Sequence, residues 1–376
     1  MSERWIKAAF IRGGTSKGVF FRAGDLPAGR GDIEPILLSA LGSPDPYSRQ
    51  IDGMGGGISS LSKAAIVGPA SRSDADVDYT FAQVSVDRAV VEWGSNCGNL
   101  SSAAGPFAID EGMLQRPDGE ATIRIHQVNT GKIILARFAV ERGRARAEGD
   151  FAIAGVAGTG ARIALDILDP GGSTTGAFLP TGRAVETLQA GHAFPVSLVD
   201  AAIPVVFVAA SDLGLNGHEA PGTIEADGAL MARLDVLRRA GGVVMGIASA
   251  PDLVPLSIPK IALVAVPTAY RGLDGAAFAA SSHDIAVRML SMERVHKASP
   301  LTGAMCLAAA CRVEDSVPHH LCRPVAPERD IRIATPSGII PVNARVDRRG
   351  DRWRVGSASV YRTTRRLMQG EVAVRT

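Results

Sequence analysis

The sequence predicts an α+β fold of two similar lobes, each of them a curved β-sheet around one helix. A chain of 376 residues is long for a single hydrophobic core, so two domains are expected. Short apolar or alternating runs bounded by Gly, Pro, Asn or Asp recur in both halves and predict strands. The stretches "SNCGNLSSAAGPFAI" and "SPLTGAMCLAAACRV" both place small residues before an Ala-rich apolar run, which indicates an equivalent helix in each half.

Strands dominate the first half, where long helical periodicity is scarce. The predicted strands are "WIKAAFI", "GVFFRA", "KAAIVG", "DYTFAQVSVDRAVVEW", "ATIRIHQVN" and "KIILARFAVE". A helix candidate opens near Gly98, and Pro106 inside it predicts a kink or an early stop.

The second half mixes strands with helices. Strands are predicted at "IPVVFVAA", "KIALVAVP" and "DIRIAT", and helices at "GALMARLDVLRRAGGVVMG", "SHDIAVRMLSM" and "GAMCLAAACRV". The segment 155–183 is rich in Gly, Thr and Pro, so it is the candidate crossover between the two domains.

Composition excludes several classes of protein. A net charge of +2 gives no reason to expect a nucleic-acid or membrane surface. The start "MSERWIKAAF" lacks the apolar core of a signal peptide, and the longest apolar runs are too short to span a bilayer, so we expect a cytoplasmic protein. Four cysteines (97, 306, 311 and 322) are too sparse for a disulfide scaffold and lack metal-ligand spacing, and Cys306 and Cys311 are interpreted as buried thiols.

Four stretches carry residues that could bind a ligand or take part in catalysis: 12–18, 49–67, 95–99 and 335–338. The first, "RGGTSKG", combines glycines that permit close backbone approach with hydroxyls and cations, which is typical of an anion site. The second fits neither the dinucleotide fingerprint nor the P-loop. Its "SLSK" matches the S-x-x-K of serine β-lactamase-like enzymes, but the companion motifs of those enzymes are absent.

Lys63 follows the glycine-rich turn and begins an apolar run. Two interpretations fit this position. Burial at the lip of a strand lowers a lysine pKa from about 10.4 toward neutrality, which makes the amine a usable general base. The alternative is a surface lysine at a strand end.

Cys97 precedes the helix candidate, where the positive end of the helix dipole favours a thiolate. The backbone N–H groups of Gly98 and Asn99 can bind a carboxylate or an enolate oxygen. A packed structural cysteine is the alternative. A thiol, a lysine and anion-binding loops, without a nucleotide or metal motif, indicate proton transfer on a carboxylate substrate.

Seven segments together resemble the PrpF family of methylaconitate isomerases, whose relatives include 4-oxalomesaconate tautomerase and 3-methylitaconate Δ-isomerase. They are "RGGTSKGVFF", "RQIDGMGG", "SLSKAAIV", "NCGNLSSAAGPFAI", "DAAIPVVFV", "SMERVHKASPLTGA" and "PSG", in the family's order. The resemblance implies a diaminopimelate-epimerase-like fold of two pseudo-symmetric lobes, no cofactor, and a site in the cleft between the lobes. It also implies a first lobe of residues 1–183 joined by 365–376, and a second lobe of 184–364.

The resemblance implies roles for single residues. Lys63 matches the family's catalytic lysine, and Cys97 matches the acid/base position of the epimerase relatives. The implied substrate-binding residues are Ser16, Lys17, Asn96, Gly98, Asn99, Thr302, Gly303, Ser337 and Gly338. The segment 302–304 carries no cysteine where an epimerase has its second one, which disfavours a two-thiol racemase and suits a 1,3 shift.

Two second-lobe motifs depart from the family pattern. Residues 335–338 read Thr-Pro-Ser-Gly where many members have His-Pro-Ser-Gly, and 200–204 read Asp-Ala-Ala-Ile-Pro where many have Asp-Ala-Gly-Asn-Pro. Both departures bear on the identity of the substrate more than on the chemistry.

The leading hypothesis is a cofactor-independent isomerase that catalyses a 1,3-proton (allylic) shift or a cis-trans isomerisation of an unsaturated di- or tricarboxylate such as 2-methylaconitate. The partner would be this small molecule, without nucleic acid or membrane, and a homodimer is the family-like expectation. The alternatives are a keto–enol tautomerase of an intermediate such as 4-oxalomesaconate, a Ser60/Lys63 hydrolase, and a non-catalytic carboxylate-binding accessory protein.

Overall fold

The computed structural model describes residues 3–94, 97–153, 155–291, 294–350 and 352–375. The chain forms two compact units. The first unit consists of two segments of the chain, one that ends at Asp166 and one that begins at Tyr361. The second unit is the continuous segment Ile167–Val360. The first boundary therefore falls earlier than position 183/184, inside the Gly-, Thr- and Pro-rich stretch. No helix among the described residues is long and apolar enough to cross a bilayer.

The first unit is built mainly of strands. Its strands are β1 (Glu3–Gly13), β2 (Ser16–Arg22), β3 (Lys63–Pro69), β4 (Val77–Val84), β5 (Val91–Glu92), β6 (Gly119–Gln127), β7 (Lys132–Glu141), β8 (Arg144–Ala145) and β9 (Ile163–Leu168), which ends just past the boundary. Its helices are α1 (Arg30–Leu41) and α2 (Gly98–Asp110).

Helix α2 is the core of the first unit. Every residue from Leu100 to Ile109 is buried, and the helix contacts β1 to β4 and β6 to β8. Its small residues allow this, because a Cβ added at Gly105 would lie 2.8 Å from the Phe138 ring. Helix α1 packs on the other face of the sheet, against β2, β3 and β4. A curved sheet thus surrounds one buried helix, as predicted.

The described residues of the second unit form strands and four α-helices. Its strands are β10 (Glu186–Gln189), β11 (Ala193–Asp200), β12 (Pro204–Ala209), β13 (Lys260–Ala265), β14 (Tyr270–Arg271), β15 (Ala277–Phe278), β16 (Ile285–Ser291), β17 (Arg294–Val295), β18 (Ile331–Thr335), β19 (Gly338–Arg349) and β20 (Arg352–Arg362), which ends in the first unit. The helices are α3 (Pro221–Ala226), α4 (Gly228–Val244), α5 (Leu301–Ala310) and α6 (Val317–Leu321).

Helix α5 occupies the core of the second unit as α2 does in the first. It is buried from Gly303 to Ala310 and contacts β11, β12 and β19. Helix α4 covers the opposite face of β12 and β13 through its leucines.

The two units share one pairing scheme. In the first, β1–β2 is antiparallel, β2–β3 parallel, β3–β4 antiparallel, β4–β6 parallel and β6–β7 antiparallel. In the second, β11, β12, β13, β16, β18 and β19 repeat these relations in the same order. The outer helices α1 and α4, and the central helices α2 and α5, occupy matching places in the chain. This repetition confirms the prediction of two similar lobes.

The last strand, β21 (Thr364–Arg375), belongs to the first unit. It pairs antiparallel with β1 along its whole length, from Glu3 opposite Arg375 to Gly13 opposite Thr364. Strand β1 therefore has β2 on one edge and β21 on the other.

Two local predictions were wrong. The run "SHDIAVRMLSM" is not a helix but carries strand β16, because it pairs with β13 on one edge and β18 on the other. A central strand with both faces buried reads as a continuous apolar run, which periodicity does not distinguish from a buried helix. Helix α2 does not stop at Pro106 but continues to Asp110, because close packing on all sides outweighs the hydrogen bond that proline removes.

Asp200 anchors the turn between β11 and β12. Its fully buried carboxylate accepts hydrogen bonds from Ser173 Oγ at 2.6 Å, the N–H groups of Thr174 and Thr175 at 2.8 Å each, and Thr175 Oγ1 at 3.0 Å. Ala202 adopts φ of 66°, a left-handed conformation that L-residues rarely adopt. The aspartate therefore holds a strained turn in place.

Asp200→Asn should lower the free energy of unfolding by about 3 kcal/mol or more, because an amide NH₂ would face donors that now share a charged acceptor. Urea unfolding followed by fluorescence measures the change. Asp252→Asn, at an exposed aspartate in the same unit, is the matched control and should stay within about 0.5 kcal/mol of the parent. Equal stabilities for the two variants would contradict the anchoring role.

Candidate functional site

The hairpin between β1 and β2 lies directly against the first turn of α2. A Cβ at Gly13 would lie 2.5 Å from the carbonyl oxygen of Asn99, and one at Gly14 would lie 2.2 Å from Asn99 Oδ1. Gly14 also has a φ of +52°. The glycines of the opening loop are therefore needed for this close approach.

The side chain of Asn99 ties three segments together. Its Nδ2 donates to Thr15 Oγ1 at 3.1 Å in the hairpin, and its Oδ1 accepts from Arg362 Nε at 2.9 Å at the end of β20. Cys97 is the N-cap residue of α2 and is half-buried, and its carbonyl accepts hydrogen bonds from Ser101. The first turn of α2 is thus fixed against the hairpin with the thiol at its start.

Arg362 brings a positive charge to this place. Desolvation lowers the pKa of Arg362 to about 10, and the nearby Cys97 acts in the opposite direction. The guanidinium therefore remains a cation at neutral pH. No local pattern of residues identifies Arg362, because it reaches Asn99 across more than 260 residues of chain.

Tyr79 on β4 lies close to Cys97. Burial is the main reason that the pKa of Tyr79 is raised well above its usual range, and the neighbouring Cys97 adds to the effect. The phenol is fully buried and stays protonated at neutral pH. Tyr79 therefore cannot serve as a base there.

Lys63 lies at the start of β3 and is 9% exposed, so it is a buried lysine and not a surface lysine. Its Nζ donates to Gln83 Oε1 at 2.5 Å and lies 4.9 Å from the centroid of the Phe81 ring. Gln83 is itself held, because its Nε2 donates to the carbonyls of Ser59 and Ser62. The amine is thus fixed between an amide oxygen and an aromatic face.

Gln83 and Phe81 were not identified from the sequence. The sequence did contain a pattern that places them together, since alternate residues of "DYTFAQV" share one face of a strand. Gln83 is the cross-strand partner of Lys63, and the strand register that sets this pair was not predictable from either run alone.

The glycine-rich turn before Lys63 is held by side-chain hydrogen bonds. Gln50 donates to Ser62 Oγ at 2.7 Å and accepts from the N–H of Gly57 at 3.0 Å. Ser62 Oγ donates to the carbonyl of Val84 at 2.9 Å. These contacts fix the backbone from which Lys63 projects.

The structure separates two neighbouring candidates, Ser16 and Lys17. Side chains alternate along β2, and Phe20 meets Phe107 of α2 with ring centroids 5.5 Å apart. Ser16 therefore points to the α2 side and is buried, as is Lys63. Lys17 points to the other face, where its Nζ lies 5.4 Å from the centroid of the Phe10 ring.

The second-unit candidates lie at the start of α5 and at the β18–β19 hairpin. Gly303 packs closely, since a Cβ there would lie 2.2 Å from Met289 Sδ, and Thr302 precedes it half-buried. Ser337 Oγ donates to the carbonyl of Lys297 at 2.6 Å, which ties the hairpin to the segment leading into α5. Gly338 adopts φ of 120°, a conformation open to glycine.

Asn96 lies outside the described residues. Among the residues that are described, no group of three or more His, Cys, Asp or Glu side chains could hold a metal ion. Cys306 and Cys311 are buried thiols, as predicted, and burial raises the pKa of both. The first unit thus brings an amine, a thiol, a cation and a helix N-terminus into one sheet-and-helix assembly, a set of groups suited to proton transfer next to a bound anion.

Solved structures identify the class of fold. The crystal structure of methylitaconate-delta-isomerase matches with a TM-score of 0.92 and 37% identity, covering 100% of this chain and 96% of that one. A hydroxyproline epimerase from Agrobacterium vitis matches with a TM-score of 0.51 at 12% identity, over 98% of this chain and 93% of that one, and supports the fold alone. The predicted diaminopimelate-epimerase-like α+β fold is confirmed.

The chain belongs to the PrpF protein family, which it matches over residues 3–375. It is 39% identical to the 3-methylitaconate isomerase of Eubacterium barkeri, covering 98% of this chain and 97% of the relative. It is 37% identical to the 2-methyl-aconitate isomerase of Shewanella oneidensis, with 98% and 96% covered. It is 38% identical to the (4E)-oxalomesaconate Delta-isomerase of a Novosphingobium species, with 97% and 96% covered. These relatives confirm the predicted family and the isomerase class.

Gly14→Ala should lower the free energy of unfolding by about 2 kcal/mol or more, because alanine is strained at this φ and its methyl would displace Asn99 and Arg362. Urea unfolding measures the loss. Gly24→Ala is the matched control, since its Cβ would meet no atom within 4 Å and its effect should be under about 0.5 kcal/mol. A tolerated Gly14→Ala would mean that the hairpin and α2 are not held as described.

Proposed function

We propose that this protein is a cofactor-independent isomerase that moves a double bond by a 1,3-proton shift in an unsaturated di- or tricarboxylate. The observation that carries the proposal is the buried amine of Lys63, held 2.5 Å from Gln83 in a chain of the PrpF family. The curated relatives named as methylitaconate and methylaconitate isomerases support the substrate class.

In the proposed reaction, the amine of Lys63 takes a proton from the carbon γ to the carboxylate, which is bonded to the conjugated double bond. The C–H electron pair forms a new double bond and leaves a delocalised dienolate. The charge is stabilised by backbone N–H groups at the start of α2, at Gly98 and Asn99, and by the cation of Arg362. The proton returns to the α carbon from Lys63 or from Cys97, so no atom or electron is gained or lost.

The binding residues of the proposal differ in one respect from those that the family resemblance implies. Ser16 is retained because it is buried on the side of the sheet that carries α2. Lys17 is left out, since its N–H donates to the carbonyl of Ser60 and its side chain lies on the opposite face. Thr302, Gly303, Ser337 and Gly338 stay as predicted substrate-binding residues of the second unit. The proposal includes a cytoplasmic location and a homodimer.

A second candidate function uses the same residues. A relative named 4-oxalomesaconate tautomerase is 35% identical over 100% of this chain, which favours tautomerisation of such a keto acid as the alternative. Both reactions remove a proton next to a conjugated carboxylate, so only the substrate distinguishes them.

A substrate panel tests the function. Purified protein is incubated in D₂O with 2-methylaconitate, 3-methylitaconate and 4-oxalomesaconate, and conjugation is followed by ultraviolet absorbance while deuterium is followed by NMR. We expect turnover of one of the three, with deuterium entering the carbon that gains the proton. Binding of all three without absorbance change or deuterium would instead identify a carboxylate-binding accessory protein.

Lys63→Gln should lower kcat by about 10²–10⁴-fold on the substrate that the panel identifies, because a placed general base contributes that much. Lys132→Gln is the matched control, since Lys132 also begins a strand of the first unit and lies half-buried outside the α2–hairpin contact. Its kcat should stay within about twofold. Full activity of Lys63→Gln would rule out the lysine-base mechanism.

Cys97→Ala separates the two ways of returning the proton. A loss of less than about tenfold in kcat supports a single base, Lys63, that works at both carbons. A loss comparable to that of Lys63→Gln supports a relay in which the thiol returns the proton.

A further inference from the structure

Two of the four cysteines are neighbours in the second unit, whereas the groups assigned to proton transfer belong to the first. Cys311 directly follows the last residue of α5, and Cys322 directly follows the last residue of α6. Cys322 is a side-chain hydrogen-bond partner of Cys311, so the two sulfur atoms lie next to each other. Both thiols are free, and no step of the proposed isomerase reaction uses either of them.

The turn between α5 and α6 brings the two cysteines together. Ser316 is fully buried, and its Oγ donates to the carbonyl of Ala310, the last residue of α5, at 2.8 Å. The same Oγ accepts a hydrogen bond from the N–H of His319 in α6 at 3.1 Å. Helix α6 (Val317–Leu321) is little more than one turn long and packs against α5. The end of α6 therefore stays close to the end of α5.

The chain that follows Cys322 is also held to the end of α5. Arg312, the residue after Cys311, donates through its Nη2 to the carbonyl of Ala326 at 3.0 Å and to that of Arg329 at 2.8 Å. Cys322 thus lies between two segments, α6 and the loop after it, that both bind residues flanking Cys311. The closeness of the two sulfur atoms is a property of this fixed backbone.

The two cysteines differ in their access to solutes. Cys311 is buried, whereas Cys322 is half-buried. A cavity of about 710 Å³ is lined by both cysteines and by Arg312, His319 and His320, among others. Burial is the main reason that the pKa of Cys311 is raised well above its usual range, and the neighbouring Cys322 adds to the effect. Cys322 is therefore the sulfur that a small solute reaches first, and Cys311 is a protonated thiol beside it.

We propose that Cys311 and Cys322 form a modification site, at which hydrogen peroxide converts the two thiols into a disulfide. An S–S bond needs the sulfur atoms to approach to about 2 Å, and neighbouring thiols need little movement to do so. Among the described residues, no group of three or more His, Cys, Asp or Glu side chains could hold a metal ion, so the pair is not part of a metal site. The inference goes beyond the proposed function and does not rest on it.

The proposed modification has two steps. Cys322 gives up its thiol proton, and its thiolate attacks one oxygen of the peroxide, which breaks the O–O bond and forms a sulfenic acid. The hydroxide that leaves takes up the proton as water. The sulfur of Cys311 then attacks the sulfenic sulfur, the S–O bond breaks, and the proton of Cys311 leaves with that oxygen as a second water. Two thiols lose two electrons in total, and one peroxide is reduced to two water molecules.

The test maps disulfides in the full-length protein after mild oxidation. Reduced protein is treated with a small excess of hydrogen peroxide, remaining thiols are blocked with N-ethylmaleimide, and a tryptic digest is analysed by mass spectrometry without reductant. Cys311 lies in the tryptic peptide 298–312 and Cys322 in 313–329, since trypsin does not cut before a proline at position 324. We expect these peptides as a linked pair, two hydrogens lighter than their sum, that dithiothreitol separates. The linked pair should come from protein that runs as a monomer on a non-reducing gel.

Two variants distinguish Cys311 from Cys306, which lies in the same peptide. Cys311→Ser should abolish the linked pair. Cys306→Ser is the matched control at a second buried cysteine and should retain it. Circular dichroism verifies folding of both variants. Fragment ions of the linked pair from the parent protein locate the bond without any variant, so the test stands even if a variant does not fold.

Four results would overturn the proposal. They are the absence of the linked pair, its persistence in folded Cys311→Ser, a bond found only in covalent dimers, and oxidation of Cys322 beyond sulfenic acid while Cys311 stays a thiol. The readout is a covalent bond and not turnover, so failure of the proposed isomerase reaction on every substrate would leave this result unchanged.

Discussion

The contact between a glycine-rich hairpin and the first turn of α2 is the constraint on which the first unit depends. Only residues without a Cβ let the backbone at Gly13 and Gly14 approach Asn99 so closely. That approach sets where the helix begins, and the helix start sets where Cys97 and its N–H groups point. Arg362 completes the arrangement from the far end of the chain by bonding Asn99. Backbone contact between the hairpin and α2 therefore fixes the positions of the groups at the start of the helix.

The two units share one scheme of strand pairing but carry different residues on it. Each has a buried central helix, an outer helix and a strand that starts with a buried lysine. The first unit adds a thiol at its helix start, whereas the second has Leu301 and Thr302 there. The proton transfer that we propose therefore uses residues of the first unit.

Local patterns predicted most of the fold, and long-range pairing accounts for what they missed. The strand runs, α4 and α5 were predicted from consecutive residues, whereas the burial of Lys63 was one of two interpretations that the sequence left open. The helix prediction at β16 failed because a strand buried on both faces shows no alternation. Gln83 and Arg362 were not predicted because their hydrogen-bond partners lie 20 and 263 residues away in the chain. These contacts form only once the strands are in register. The side of the sheet taken by Lys17 was decided by the register of a single hairpin.

The pairing of β21 with β1 has a consequence for the order in which the protein can mature on the ribosome. The second unit is one uninterrupted stretch of chain, and its strands are all synthesised before β21 emerges. Strand β1 precedes the second unit in the chain, whereas its partner β21 follows it, so one edge of β1 stays open until the second unit and β21 have been translated. An unpaired strand edge of the first unit is therefore exposed while the whole second unit is synthesised.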